Sequence, residues 1–276
     1  MKALAYKILA VTFTIFVFTT CEKISDFGDT NTDPSATAFP ETSALLTHVL
    51  SGIAKYSTPD INNAMSYAAA IYCQYVVETY LVQYGTYAEK EMSPMKYYSG
   101  DLNDLQIMIN LNSDESTSEN ASTNGPNHDQ IAIARILQAY ILWVLTDSWG
   151  DLPYSDALKG ISDIRYDTQE AIYQDLINDL TEAVEQFTSA YPVNGDIAYH
   201  GEVSNWKKLA NSLRMLISLR LSNRYPSSGD YAALQFRLAL EDAAGSIENN
   251  IDNFKLSYPG GYFRNPYFVI FEELPL

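Results

Sequence analysis

Cys21 is the residue whose chemistry is set most sharply by its neighbours. It follows the apolar run Ile8 to Phe18, which is preceded by Lys2 and Lys7 and followed by the small residues Thr19 and Thr20. A positive segment, a short apolar segment and small residues before a cleavage point make an export signal, and these eleven residues are too few to span a bilayer. Once exposed by cleavage, the Cys21 thiol could accept a diacylglyceryl group. Acyl chains contribute about 0.8 kcal/mol per buried methylene, so several of them hold a protein at a membrane surface. The same layout also fits an ordinary secretory signal with an incidental Cys21, and Phe18 stands where an aliphatic residue is commoner.

A second chemistry is recognition of sugar rings, which needs flat aromatic faces with amides or carboxylates beside them in a concave site. The chain has 21 tyrosines, and two mixtures of aromatic and polar residues fall outside its clearest helices. The first is Gln83, Tyr84, Tyr87, Tyr97, Tyr98 and Asn103. The second is Tyr262, Phe263 and Tyr267, with Arg264 and Asn265 beside them. These are the candidate ligand-binding residues, set against the plainer reading that each tyrosine packs between helices.

Hydrolysis of a glycosidic bond needs two acids flanking it at a set separation. Acidic pairs such as Asp175/Asp179 and Glu89/Glu91 occur, but on helical or loop surface expected to be solvated. No GxSxG, HExxH, GxxxxGK or GxGxxG motif accompanies them, so no enzyme and no cofactor are expected. His48, His128 and His200 are scattered without a second ligand at helical spacing, and no metal site is expected. Cys73, in the stretch Ala68 to Cys73, reads as a small buried hydrophobe rather than a reactive thiol, and two cysteines build no disulfide framework.

With 47% hydrophobic and 18% charged residues, the chain can bury a sizeable core. Its net charge is −17, and loss of Lys2 and Lys7 with the leader takes it to −19. Such a surface repels phosphate backbones and anionic headgroups, which argues against nucleic acid and favours a neutral or weakly charged ligand.

These groups must be positioned by helices. Thr42 or Ser43 caps a first helix with Leu45, Leu46, Val49, Leu50 and Ile53, closed by Pro59. A second, apolar on most sides, is expected from Asn62 to about Tyr84, and a shorter one holds Leu102, Leu105 and Ile109. Residues 112–127 are almost wholly polar and are expected as a solvated, mobile loop. Ile133, Ile136, Leu137, Tyr140 and Val144 then mark an amphipathic helix ended by Gly150 and Pro153. Asp167 or Thr168 caps the next, with Glu170 in a capping box. Two more run from Ser204 to Tyr225, with Arg214 and Arg220 as expected partners of Asp175, Asp179 or Asp151, and from about Asp230 to Ile247. Helix starts near 129, 168 and 204 have the period of stacked hairpins, although a plain bundle fits the period as well.

The run Ala134 to Tyr140 through Asp147-Ser148-Trp149-Gly150-Asp151-Leu152-Pro153-Tyr154 resembles the SusD/RagB-like nutrient-binding lipoproteins of Bacteroidota. Asp26 to Pro34, Ile172 to Leu180 and Trp206 to Arg220 are similar to further segments of that family. The resemblance implies an all-α fold of tetratricopeptide-like hairpins with long loops and little or no β. It implies lipid anchoring at the outer membrane, and capture of oligosaccharides or peptides for a TonB-dependent, SusC-like transporter. Residues 1–20 are then the signal peptide, 21–40 the lipidated tether and lead-in loop, 41–225 the helical domain, and 226–276 the start of a truncated C-terminal portion. A helical scaffold that binds only the transporter or another protein is the alternative. Trp149 and Tyr154 are expected to fold back onto the hairpin as structural residues.

Overall fold

The computed structural model describes residues 40–55, 71–75, 77, 82–88, 93–188, 191–261, 263–265, 268–269 and 272. Cys21, most of the expected Asn62–Tyr84 helix, Pro59, Tyr262 and Tyr267 lie outside them, as does the Tyr84 side chain. The longer helices among the described residues are α1 (Thr42–Lys55), α2 (Asn103–Ser113), α3 (Asn127–Trp149), α4 (Gln169–Gln186), α5 (Val203–Arg220) and α6 (Tyr231–Leu240). Each packs against the next in sequence, giving the expected succession of helical hairpins. The sheet is a pair of two-residue strands, β1 (Leu152–Pro153) and β2 (Tyr166–Asp167), antiparallel with Leu152 opposite Asp167.

One core runs through the stack. Leu50, Leu105, Leu137, Leu176 and Trp206, one from each of the first five helices, are all 0% exposed. Each such side chain contributes about 1.5–3 kcal/mol by leaving water. By length and composition α3 could cross a membrane, but Ile133, Ile136, Leu137, Ile141 and Leu145 occupy this core. The helix ends where expected. Gly150 takes φ +76°, its N–H bonds the Thr146 carbonyl at 2.8 Å, and the Thr146 hydroxyl bonds the Gly150 carbonyl at 2.7 Å.

Thr168 caps α4, its hydroxyl accepting from the Ala171 N–H at 3.3 Å. Glu170 does not complete a capping box, because it is taken by the Tyr225 hydroxyl and by Arg224. Residues 112–127 are not a loose loop. Short helical turns at Ser118–Ala121 and Ser122–Asn124 fill them, and Asn112 and Asn124 are buried. Amide side chains hold the segment together: Gln130 Nε2 donates to the Ala121 and Gly125 carbonyls at 2.8 and 2.7 Å, and Asn127 Nδ2 to that of Ser118 at 2.8 Å. Buried carbonyls that find such partners cost little, so a polar segment can pack without apolar periodicity.

Three other expectations change. The last helix stops at Leu240 rather than Ile247, since Asp242 accepts from the Ala244 N–H and Gly245 turns at φ +76°. Arg214 pairs with Asp242 at 3.7 Å and Arg220 with Asp147 at 3.0 Å, whereas Asp179 meets Arg135 and Asp151 accepts from the Gln169 N–H. The helix expected to reach Tyr84 ends after Tyr72, where Gln74 takes φ +61°, and Val82–Thr86 forms a separate 3₁₀ turn.

Candidate functional site

The described part of the segment 71–88 presents aromatic side chains to solvent. Ile71 anchors it at 3% exposure, and the chain then turns at Gln74 (φ +61°) and Tyr87 (φ +63°). A left-handed residue other than glycine costs about 1–3 kcal/mol and persists only where its surroundings hold it. Here the Tyr72 and Tyr87 rings pack at 5.9 Å and 33° between planes. The Tyr72 hydroxyl donates to the Ala88 carbonyl at 2.7 Å, and Gln74 Nε2 donates to the Tyr87 hydroxyl at 3.2 Å. Tyr87 stays 62% exposed and Tyr75 86%, with Gln83 also at the surface. A fixed aromatic face flanked by amides can stack on the apolar side of a sugar ring and meet its hydroxyls. No lysine or arginine occurs from 71 to 88, which suits an uncharged ligand.

The first candidate set therefore divides. Gln83 and Tyr87 belong to the exposed patch, but Tyr97 and Tyr98 do not. Tyr97 is 3% exposed and meets Trp149 edge-on at 6.4 Å. Tyr98 donates its hydroxyl to the Pro153 carbonyl at 2.7 Å, and burial pushes its pKa up to about 12. Asn103 opens α2, half-buried. Tyr72, Gln74 and Tyr75 were missed because their stretch reads as a buried helix, a pattern that hides the turn at Gln74. That turn also corrects Cys73. The helix ends before it can carry the thiol inward, and Cys73 is a free, exposed cysteine.

Of the second set, Phe263 is 72% exposed in a turn closed by its bridge to Gly260, and Arg264 beside it pairs with Glu272. Trp149 and Tyr154 are structural, as expected. The Tyr154 hydroxyl donates to Asp179 Oδ2 at 3.3 Å, and burial followed by the Asp179 charge raises its pKa far above the tyrosine range.

Asp179 is the acid in this neighbourhood whose pKa is raised. Burial raises its pKa despite Arg135 and the Tyr154 hydroxyl, while Asp175 is exposed. Glu89 and Glu91 lie outside the described residues. Among the described residues no three of His, Cys, Asp or Glu converge as metal ligands, and His48 Nδ1 sits 2.7 Å from Asp104 Oδ2.

Residues 34–270 match the SusD-like family, described as starch-binding and associating with the outer membrane. No curated protein sequence matches the chain. A solved chitin-binding protein is 27% identical at a TM-score of 0.61, over 78% of this chain and 45% of its own. An outer-membrane protein from Bacteroides vulgatus, for which a part in nutrient binding has been suggested, is 26% identical at a TM-score of 0.62, over 83% and 46%. A SusD homologue from Bacteroides fragilis shares the fold at a TM-score of 0.65 and 24% identity, over 80% and 44%. The chain thus spans less than half the length of these solved structures.

Proposed function

Because the chain belongs to the SusD-like family of starch-binding proteins that associate with the outer membrane, we propose that it captures oligosaccharides there and hands them to a TonB-dependent, SusC-like transporter. Lipid on Cys21 holds it at the membrane in this reading. The observation that carries the proposal is the Tyr72–Tyr87 pair with the Gln74 amide bonded to the Tyr87 hydroxyl, an aromatic face with an amide at its edge. The lack of cations from 71 to 88 supports a neutral saccharide over an acidic one. Family members bind glycans and nutrients, and binding without turnover is proposed here as well.

Calorimetric titration of the purified chain with a maltooligosaccharide, a chitin oligosaccharide and a neutral peptide tests this. Saturable binding to one saccharide class, without cleavage and lost in Tyr87→Ala, is the expected result. Binding to none of them, with a co-expressed transporter as the sole partner, would replace the proposal with the scaffold reading.

A further inference from the structure

A concave surface shares no lining residue with the tyrosine patch. One hollow of about 540 Å³ is formed by a face of α1 bearing Ser43, Thr47 and Ser51, with Asn124, Asn194 and Gly195 opposite. A second of about 390 Å³ adjoins it at Asn194 and ends at Tyr191 and Pro192. Both are shallow and largely open to solvent. Residues 43, 47 and 51 are four apart, so their hydroxyl-bearing side chains line one side of the helix.

The walls are fastened to one another. The Asn194 N–H donates to the Asn124 carbonyl at 2.8 Å, Asn124 Nδ2 donates to Glu41 Oε2 at 2.9 Å, and the Thr47 hydroxyl donates to the Gly195 carbonyl at 2.9 Å. Gly195 turns at φ +85°, and a Cβ there would stand 2.1 Å from the Ser43 carbonyl oxygen, so only glycine lets the loop lie against the helix. A site whose shape is set before binding loses little entropy when filled.

The lining also selects a ligand class. His48 in the lining is bonded to Asp104, and the nearby Glu41 accepts from Asn124. Thr47 and Ser51 donate to backbone carbonyls, which leaves their oxygens as acceptors. Among the described residues the Asn194 side-chain amide has no hydrogen-bond partner, so it can both donate and accept. Tyr191, 74% exposed, supplies an aromatic face at the far end. Among the described residues, none of those lining the two hollows is Asp, Glu, Lys or Arg. We propose that this groove is a second saccharide site, in which a neutral oligosaccharide sets a ring against Tyr191 and its hydroxyls against Asn194 and Ser43.

The test is amide NMR of the ¹⁵N-labelled chain, titrated separately with a chitin tetrasaccharide and with maltotetraose. The backbone and side-chain amides of Asn124 and Asn194, and the Gly195 amide, are expected to shift saturably with at least one probe. Tyr191→Ala and Asn194→Ala should each raise the Kd at these signals by roughly three- to tenfold while leaving shifts at Gln74 and Tyr87 in place. The Asn194 side chain is exposed and its backbone bond is kept, so the melting temperature of Asn194→Ala should hardly change. In Tyr87→Ala the groove signals should titrate as before. Groove signals that stay still with both probes overturn the proposal, as do shifts unaffected by both Tyr191→Ala and Asn194→Ala or abolished by Tyr87→Ala. Shifts at Gln74 and Tyr87 with a silent groove would overturn this site and leave the tyrosine patch standing.

Discussion

Trp206 Nε1 donates to Asp196 Oδ2 at 2.9 Å, and the indole is 0% exposed. The same carboxylate accepts from the N–H groups of Ala198, Tyr199 and Gly201. One acid therefore organises the turn that leads into α5, while Tyr199 meets the indole edge-on at 5.2 Å. Asp196→Ala strands four donors, three of them on buried residues, and is expected to cost about 3–5 kcal/mol. Urea unfolding of the variant checks this, and an unchanged midpoint would show that water replaces the carboxylate.

Asp252 gives an acid-dependent term. The Lys208 ammonium bonded to it at 2.7 Å, helped by the N–H groups of Glu248 and Asn249, holds its carboxyl below the usual value of 3.8. The folded chain thus binds this proton more weakly than the unfolded chain. The stability gained is present above the unfolded pKa and lost as pH falls through the lowered folded one. Lys208→Met should lower the melting temperature at pH 7, and the gap from the wild type should narrow below about pH 4.

Asp179 runs the other way. Burial raises its pKa, so its contribution is complete below the unfolded value of 3.8 and is lost as pH rises through the raised folded value. Asp179→Asn removes the half-buried charge while an oxygen remains to accept from Tyr154. The variant should melt at or above the wild type at pH 7, with the two curves converging below about pH 4. A clear loss of stability at pH 7 would mean that the Arg135 attraction outweighs desolvation.

Tyr87 and Tyr98 should separate binding from packing. Tyr98→Phe deletes the bond to the Pro153 carbonyl and should cost about 1 kcal/mol in unfolding experiments while saccharide affinity is kept. Tyr87→Ala should do the reverse, lowering affinity by roughly tenfold with little change in melting. Loss of affinity in Tyr98→Phe alone would move the ligand site toward Trp149.

Lipid attachment is checked by fractionation and intact-mass measurement. Cys21→Ser should shift the protein from the membrane to the soluble fraction, and the mature wild-type amino terminus should carry a diacylglyceryl mass. A Cys21→Ser protein that stays membrane-bound would remove the anchor from the proposed function.

The parts of the fold legible in the sequence are those where several local signals agree. Ile133, Ile136, Leu137 and Ile141 share one face of α3, Gly150 ends it, and Thr168 starts α4, all close to where periodicity and capping place them. What was illegible depends on distant partners. Gln130 and Asn127 reach back to order residues 112–127, and no spacing along the chain announces that. The arginine partners were misassigned for a related reason: Arg214 meets Asp242 only because the last helix stops at Leu240. In the candidate site, tyrosine content raised the possibility of ring stacking. It could not tell Tyr97, wedged against Trp149, from Tyr87, turned outward by a left-handed backbone.

The bond between Thr47 and Gly195 joins positions 148 residues apart. Neighbouring helices can pair over short chain separations, but this clasp must wait for nearly the whole intervening stack, because closing so long a loop brings no reward until both ends are in place. The clasp can open while α1 stays seated through Leu46, Val49 and Leu50, so hydrogen exchange in the loop around Gly195 should be faster than across the helices it touches.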